Sequence, residues 1–264
     1  MTAASNEPER ALSMRPLSNA LVRAWQTHVA LDPSQWTDTL SNAGDAYAVQ
    51  DEVVHALDGE AAVPPRHWKS GGPSRDEPLT HSPLPAAGVF TSPADMSSWR
   101  LHACGVEPEI ALRIKTDIAP QDAARITAAD VDGIIDAMTV SIEVVDSRWT
   151  SRMQAPALLR LADLQSHAAL VLGEWVPYAR RDWRLQAFEL HVGDDAALAR
   201  AGTHSLADPA WVVPAWLKHA TRNGQAIAAG TIVTTGSWAG SVPANRGQLV
   251  RLNFEGIGAA SLRL

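Results

Sequence analysis

At 264 residues, with 46% hydrophobic and 19% charged residues, the chain has the composition of a folded protein, long enough for one large β-rich domain or two modest ones. Twenty-nine acidic residues against 22 lysines and arginines leave a formal charge of −7, which argues against nucleic-acid binding, since phosphate neutralisation needs clustered cations. The single cysteine, Cys104, excludes an intrachain disulfide and a cysteine-based zinc site.

Met1 to Ala20 lacks the apolar core of a signal peptide, and no later run approaches the roughly 18 apolar residues of a membrane helix, so a cytoplasmic location without membrane contact is expected. Leu21, Val22, Trp25, Val29 and Leu31 fall near i, i+3/i+4 spacing and predict a helix over Ser18 to Leu31. Pro33-Ser34 and Asn42 to Asp45 interrupt. Asp45 is then placed to cap a second helix through His55, with Ala48, Val49, Val53, Val54 and Leu57 as its stripe. Pro64-Pro65 closes the helical part, and Ser70 to Pro78 reads as loop. Pro83, Pro85 and Pro93 predict irregular chain over Ser82 to Asp95, of the kind that walls substrate sites.

From Gly105 the pattern turns to β. Glu107 to Ile114 alternates polar and apolar, and Thr127 with Asp130 predicts a short helix over Ala129 to Asp136. Thr139 to Val145 and Ala168 to Leu172 read as strands, and Asp182 to Val192 alternates with one slip in phase. Pro209 to Arg222 carries a helical stripe, and strands are expected at Thr231 to Gly236, Gly247 to Phe254 and Ala260 to Leu264. The ten tryptophans are scattered singly, which favours packing over a sugar-binding or membrane-interface surface. There is no internal repeat. The pattern as a whole is α+β: a helical region over residues 1–66 and a β-rich body over residues 67–264.

Three acids carry chemistry. Glu107 and Glu109, two apart on a strand, share one face and can grip one hard cation; a solvated strand face is the other reading. Glu143 sits inside the apolar run Val140, Ile142, Val144, Val145, where a lone carboxylate is costly. An ion would satisfy it, and so would a salt bridge to Arg113 or Arg148. Lys69, between Trp68 and Ser70-Gly71-Gly72, is either an exposed loop lysine or a cation held against a ligand. The single histidines His81, His102, His167 and His191 show no metal-ligand pairing, and the glycines around Ser237 suit backbone anion binding better than a nucleophile elbow.

Six segments in order resemble the fumarylacetoacetate hydrolase superfamily: Asp45 to Gln50, Trp68-Lys69, Gly105 to Ala111, Ile142 to Arg148, Leu161 to Gly173, and Thr235-Gly236-Ser237. The similar branch comprises 2-keto-4-pentenoate hydratases and 4-oxalocrotonate decarboxylases, and the likeness runs from about Asp45 to the C-terminus. It implies a helical N-terminal part and a mixed β-roll body. It also implies Mg2+ or Mn2+ on Glu107, Glu109 and Glu143, with Lys69 near the substrate's keto acid. Thr235, Gly236 and Ser237 would lie near the substrate carboxylate, and the chain would form a homo-oligomer. Family hydratases often have Ile-Gly after the lysine and Asn-Ala-Ser-Ser after Leu-Ala-Asp; here the residues are Ser70-Gly71-Gly72 and Leu164-Gln165-Ser166-His167. The implied activity is a metal-dependent hydro-lyase reaction on a small 2-keto acid or 2-hydroxydienoate through an enolate. Decarboxylation of a 4-oxalocrotonate-like acid is the alternative, and a catalytically silent binder of a metal–keto acid complex stands behind both. Hydrolysis ranks lower, because no His-Glu pair in the N-terminal region is placed to activate water.

Overall fold

The computed structural model describes residues 7–59 and 64–264; the expectations at residues 1–6 and 60–63 lie outside them. Helix α1 (Glu7–Thr27) starts well before Ser18 and contains Pro16. It ends where His28 turns to a φ of 55°, so Val29, expected on the buried stripe, is 63% exposed. Helix α2 (Ala43–Asp58) is capped by Asn42, whose side chain accepts from the Asp45 N–H at 3.1 Å. The cap lies three residues before the predicted one, because Asp45 is already helical and spends its carboxylate on Arg10, 2.6 Å away. Four short helices follow: α3 (Pro120–Ala123), α4 (Val131–Ile134), α5 (Ala157–Ala162) and α6 (Val213–Ala220). Leu17, Leu21, Val49 and Val53 of α1 and α2 pack with Trp149, Leu159 and Ala162 in one apolar cluster. No helix of the described residues is long and apolar enough to cross a membrane.

The strands are β1 (His67–Gly71), β2 (Thr80–Pro83), β3 (Val89–Thr91), β4 (Ala94–Asp95), β5 (Gly105–Ile114), β6 (Ile135–Val145) and β7 (His167–Leu172). They continue as β8 (Val176–Pro177), β9 (Ala187–Val192), β10 (Leu198–Ala201), β11 (Ile232–Thr234), β12 (Val242–Pro243), β13 (Leu249–Phe254) and β14 (Gly258–Arg263). A nine-stranded mixed sheet runs β2-β1-β11-β5-β6-β7-β3, with β12 beside β5 and β8 beside β6. A five-stranded sheet, β10-β9-β13-β14-β4, packs against it. This is the expected α+β class.

The differences from the sequence expectations have identifiable physical causes. Lys69, Ser70 and Gly71 belong to strand β1, because β11 and β2 supply ladder partners on both sides of it. The proline-rich stretch expected to be irregular holds β2, β3 and β4; Pro83 ends an edge strand, where a missing N–H is tolerated. The predicted helix over Ala129 to Asp136 shrinks to α4, and Ile135 already begins β6. The strand expected from Asp182 begins only at Ala187, where the phase slips: Trp183–Leu185 form a 3-10 turn capped by the Asp182 side chain, and Phe188, Leu190 and Val192 carry the buried face of β9. Trp149, Trp216 and Trp238 are fully buried, in keeping with a packing role.

Alternation gives the larger sheet two faces. Val106, Ile110 and Leu112 of β5, with Val140, Ile142 and Val144 of β6, join Val250, Leu252, Phe254 and Leu262 of the smaller sheet in the main core. The other face carries Glu107, Glu109, Ser141 and Glu143.

Candidate active site

The β5–β6 ladder pairs Glu107 with Glu143 and Glu109 with Ser141. Residues directly opposite share a face, so the register brings together three carboxylates that are up to 36 positions apart in number. One oxygen of each lies within 4.8 Å of the others. Glu109 and Glu143 are buried and Glu107 is half-buried, so the cluster opens on the Glu107 side.

Lys69 stands on β1, separated from β6 in the sheet order by β11 and β5, yet its side chain meets the acids on the shared face. Its Nζ donates to Glu143 Oε1 at 2.6 Å and to the Gln165 carbonyl at 3.3 Å. It is therefore a strand lysine turned onto the acids, and the exposed-loop reading is overturned. The Thr234 hydroxyl and the Gly236 N–H, the latter at 3.0 Å, both donate to Glu109 Oε2. In the 235–237 turn, Thr235 Oγ1 donates to the Ile110 carbonyl at 2.7 Å and Ser237 Oγ to the Gly240 carbonyl at 2.9 Å. Gly236 has a φ of 96°, a conformation that favours glycine at this turn.

Arg113 and Arg148 do not pair with Glu143. Arg113 holds Asp136 at 2.8 Å, and Arg148 holds Asp163 at 2.5 Å. The partners of Glu143 are Lys69 and a residue the motifs did not reveal, His167, whose Nδ1 lies 3.0 Å from Oε1. His167 is fully buried. Leu164, Gln165 and Ser166 just before it all have φ between 47° and 58°. That left-handed turn aims the Gln165 carbonyl at Lys69 and the His167 ring at Glu143. A lone histidine after a Leu-Ala-Asp motif carries no local sign of this, because the contact depends on the β6–β7 register.

The electrostatics separate the three acids. Burial, reinforced by the neighbouring carboxylates, pushes Glu107 up to about 7 and Glu109 up to about 8. Burial also acts against the Glu143 carboxylate, but Lys69 and His167 outweigh it and hold that group below its usual range. For Lys69, burial is outweighed by Glu143, Glu107 and Glu109, so the ammonium form is favoured. Glu143 Oε2 is buried with no hydrogen-bond partner among the described residues. An all-oxygen set with an unpartnered buried carboxylate oxygen and crowded like charges fits a hard divalent cation such as Mg2+ or Mn2+.

The family model described as fumarylacetoacetate (FAA) hydrolase C-terminal matches residues 74–264. Two structures of 4-oxalocrotonate decarboxylase from Pseudomonas putida G7 are similar at 22% identity over 97% of each chain. The one complexed with calcium and acetate has a TM-score of 0.80, and the one complexed with magnesium and adipate 0.81. Fumarylpyruvate hydrolase from Pseudomonas aeruginosa, in complex with Mn2+ and pyruvate, matches 75% of this chain and 88% of its own at 17% identity, with a TM-score of 0.53. At these identities the likeness shows the fold. No curated protein matches the chain.

Proposed function

The chain belongs to the fumarylacetoacetate hydrolase C-terminal family, and from that premise we propose that it is a divalent-metal-dependent lyase acting on a small 2-keto acid, of the hydratase kind. The observation that carries this is the charge balance of the cluster. Glu107, Glu109 and Glu143 ionised against Lys69 leave two uncompensated negative charges in a largely buried site, which one Mg2+ or Mn2+ would neutralise.

A bound divalent cation supplies Lewis-acid polarisation of the substrate's 2-oxo group and so favours its enolate. The chain's own residues do the rest. Glu107, on the open side, admits the substrate. Lys69, kept as an ammonium by the acids, stands ready to stabilise developing oxygen charge or deliver a proton to the enolate. Glu143 Oε1 anchors that ammonium. The turn formed by Thr235, Gly236 and Ser237 borders the substrate carboxylate, with its two hydroxyls holding backbone so that the turn keeps its shape. Helices α1 and α2 of the N-terminal region act as a buttress and residues 67–264 as the catalytic body, in a homo-oligomer.

In a hydratase the dienol tautomerises before water adds; in a decarboxylase loss of CO2 forms the same enolate. Decarboxylation is the second reading, favoured by the fold likeness to 4-oxalocrotonate decarboxylase over 97% of both chains, the N-terminal helices included. The test is turnover of 2-hydroxypentadienoate and of 4-oxalocrotonate by chelator-stripped protein before and after Mg2+ or Mn2+. We expect activity only with metal, and Lys69→Met should abolish it while leaving metal uptake intact. Turnover indifferent to chelator would overturn the reading, and uptake of oxalate with Mg2+ but no turnover of either acid would indicate a silent binder.

A further inference from the structure

The two oxygens of Glu143 live in different surroundings. Oε1 accepts from Lys69 Nζ at 2.6 Å and lies 3.0 Å from His167 Nδ1. Oε2 is buried and has no partner among the described residues. An ionised carboxylate oxygen has lone pairs and no proton, so a contact at 3.0 Å needs the proton on Nδ1. His167 Nε2 is also buried without a partner among the described residues. A proton there would be an unsatisfied buried donor, and a doubly protonated ring would add a charge next to the Lys69 ammonium. The arrangement therefore selects the neutral ring protonated on Nδ1.

This tautomer has a consequence for the acid it touches. The last torsion of a glutamate is soft, so Lys69 alone would let the carboxylate swing and offer either oxygen. A second donor on Oε1 removes that freedom. The ring is itself held in place: it follows the left-handed turn through Gln165, and Arg148 Nη1 donates to the His167 carbonyl at 2.6 Å. Gly88 faces its other edge, where an added Cβ would stand 3.7 Å from Nε2.

We propose that His167 is a positioning residue for the metal site: its Nδ1–H pins Glu143 Oε1 beside Lys69, so that Oε2 is the oxygen presented to the cation. The inference rests on the metal-dependent reading above, and its test separates the two. Mn2+ affinity is measured by calorimetry on chelator-stripped wild type and on His167→Leu, His167→Asn and His167→Gln. An asparagine amide can donate from the Nδ1 position, a glutamine amide sits where Nε2 was, and leucine keeps the bulk without a donor.

Losing the donor should weaken Mn2+ binding by about 10–100-fold in His167→Leu, the usual cost of removing a partner behind a metal ligand. His167→Asn should recover most of that loss and His167→Gln little of it. Nitrogen-15 spectra of the metal-free wild type should show a neutral His167 protonated on Nδ1, a reading that does not depend on any variant folding. Wild-type affinity in His167→Leu would overturn the inference, as would His167→Asn no better than His167→Leu, or a proton found on Nε2. Wild type that takes up no Mn2+ would overturn the metal reading itself, and this role with it.

Discussion

Two buried carboxylates, Asp163 and Glu143, are treated in opposite ways. Arg148 closes around Asp163: its Nε donates to Oδ1 at 2.5 Å, its backbone N–H to Oδ2 at 3.0 Å, and its Nη2 to the Asp163 carbonyl at 3.1 Å. Both carboxylate oxygens are satisfied and the charges cancel. Glu143 also has a cation at hand, but it shares Lys69 with two more acids, and its Oε2 has no partner among the described residues. A closed ion pair holds chain segments together, whereas an open cluster of like charges costs stability unless something is bound.

Breaking the closed pair should give the largest effect. Asp163→Ala leaves the Arg148 guanidinium buried without its counter-charge, and urea unfolding should report a loss of about 3–5 kcal/mol. The open cluster should behave in the reverse sense. Glu109→Gln should weaken Mn2+ binding by at least about 100-fold, beyond the range for residues behind a ligand. The metal-free protein should be no less stable, because a buried and repelled carboxyl has become neutral. Loss of stability in Glu109→Gln comparable to that in Asp163→Ala would erase the contrast.

A smaller change probes the support of Glu109. Thr234→Val removes the hydroxyl donor and should weaken Mn2+ binding by about tenfold, read by calorimetry, for a stability change of about 1 kcal/mol.

The gentlest effect is a drift with pH. With Glu107 raised to about 7 and Glu109 to about 8, the native metal-free protein keeps protons that the unfolded chain has already released. Their contribution to stability should therefore fall as pH rises from the ordinary carboxylate range to about 8, and level off above it. A cation needs the ionised forms, so the stabilisation by added Mg2+ should grow over the same interval. Thermal unfolding on either side of pH 7, with chelator and with Mg2+, checks both slopes; a Mg2+ effect that shrinks as pH rises would contradict the assignment of these acids as ligands.

Parts of this arrangement were legible early, for identifiable reasons. Glu107 and Glu109 stand on one strand, so period-two alternation alone puts them on one face. Glu143 was conspicuous as the acid in an apolar run. Its partners are not legible there, because an arginine advertises a salt bridge by its charge alone, whereas Lys69 and His167 meet Glu143 only once the strands are in register. The segment around Lys69 has the texture of a loop in the sequence, because its glycines and nearby prolines mask a ladder completed by β11, more than 160 residues away.

What the amino-acid order determined by itself was local: helices in the first part, strands after Gly105, and the faces on which the acids fall. Spacing and alternation are properties of a single segment, and they survive without knowledge of any neighbour. Only the tertiary structure decided that Lys69 on β1 meets Glu143 on β6, that His167 meets the same oxygen, and that Asp163 is closed while Glu143 stays open. Those outcomes depend on strand order and register, in which a shift of one residue turns every side chain of a strand to the opposite face.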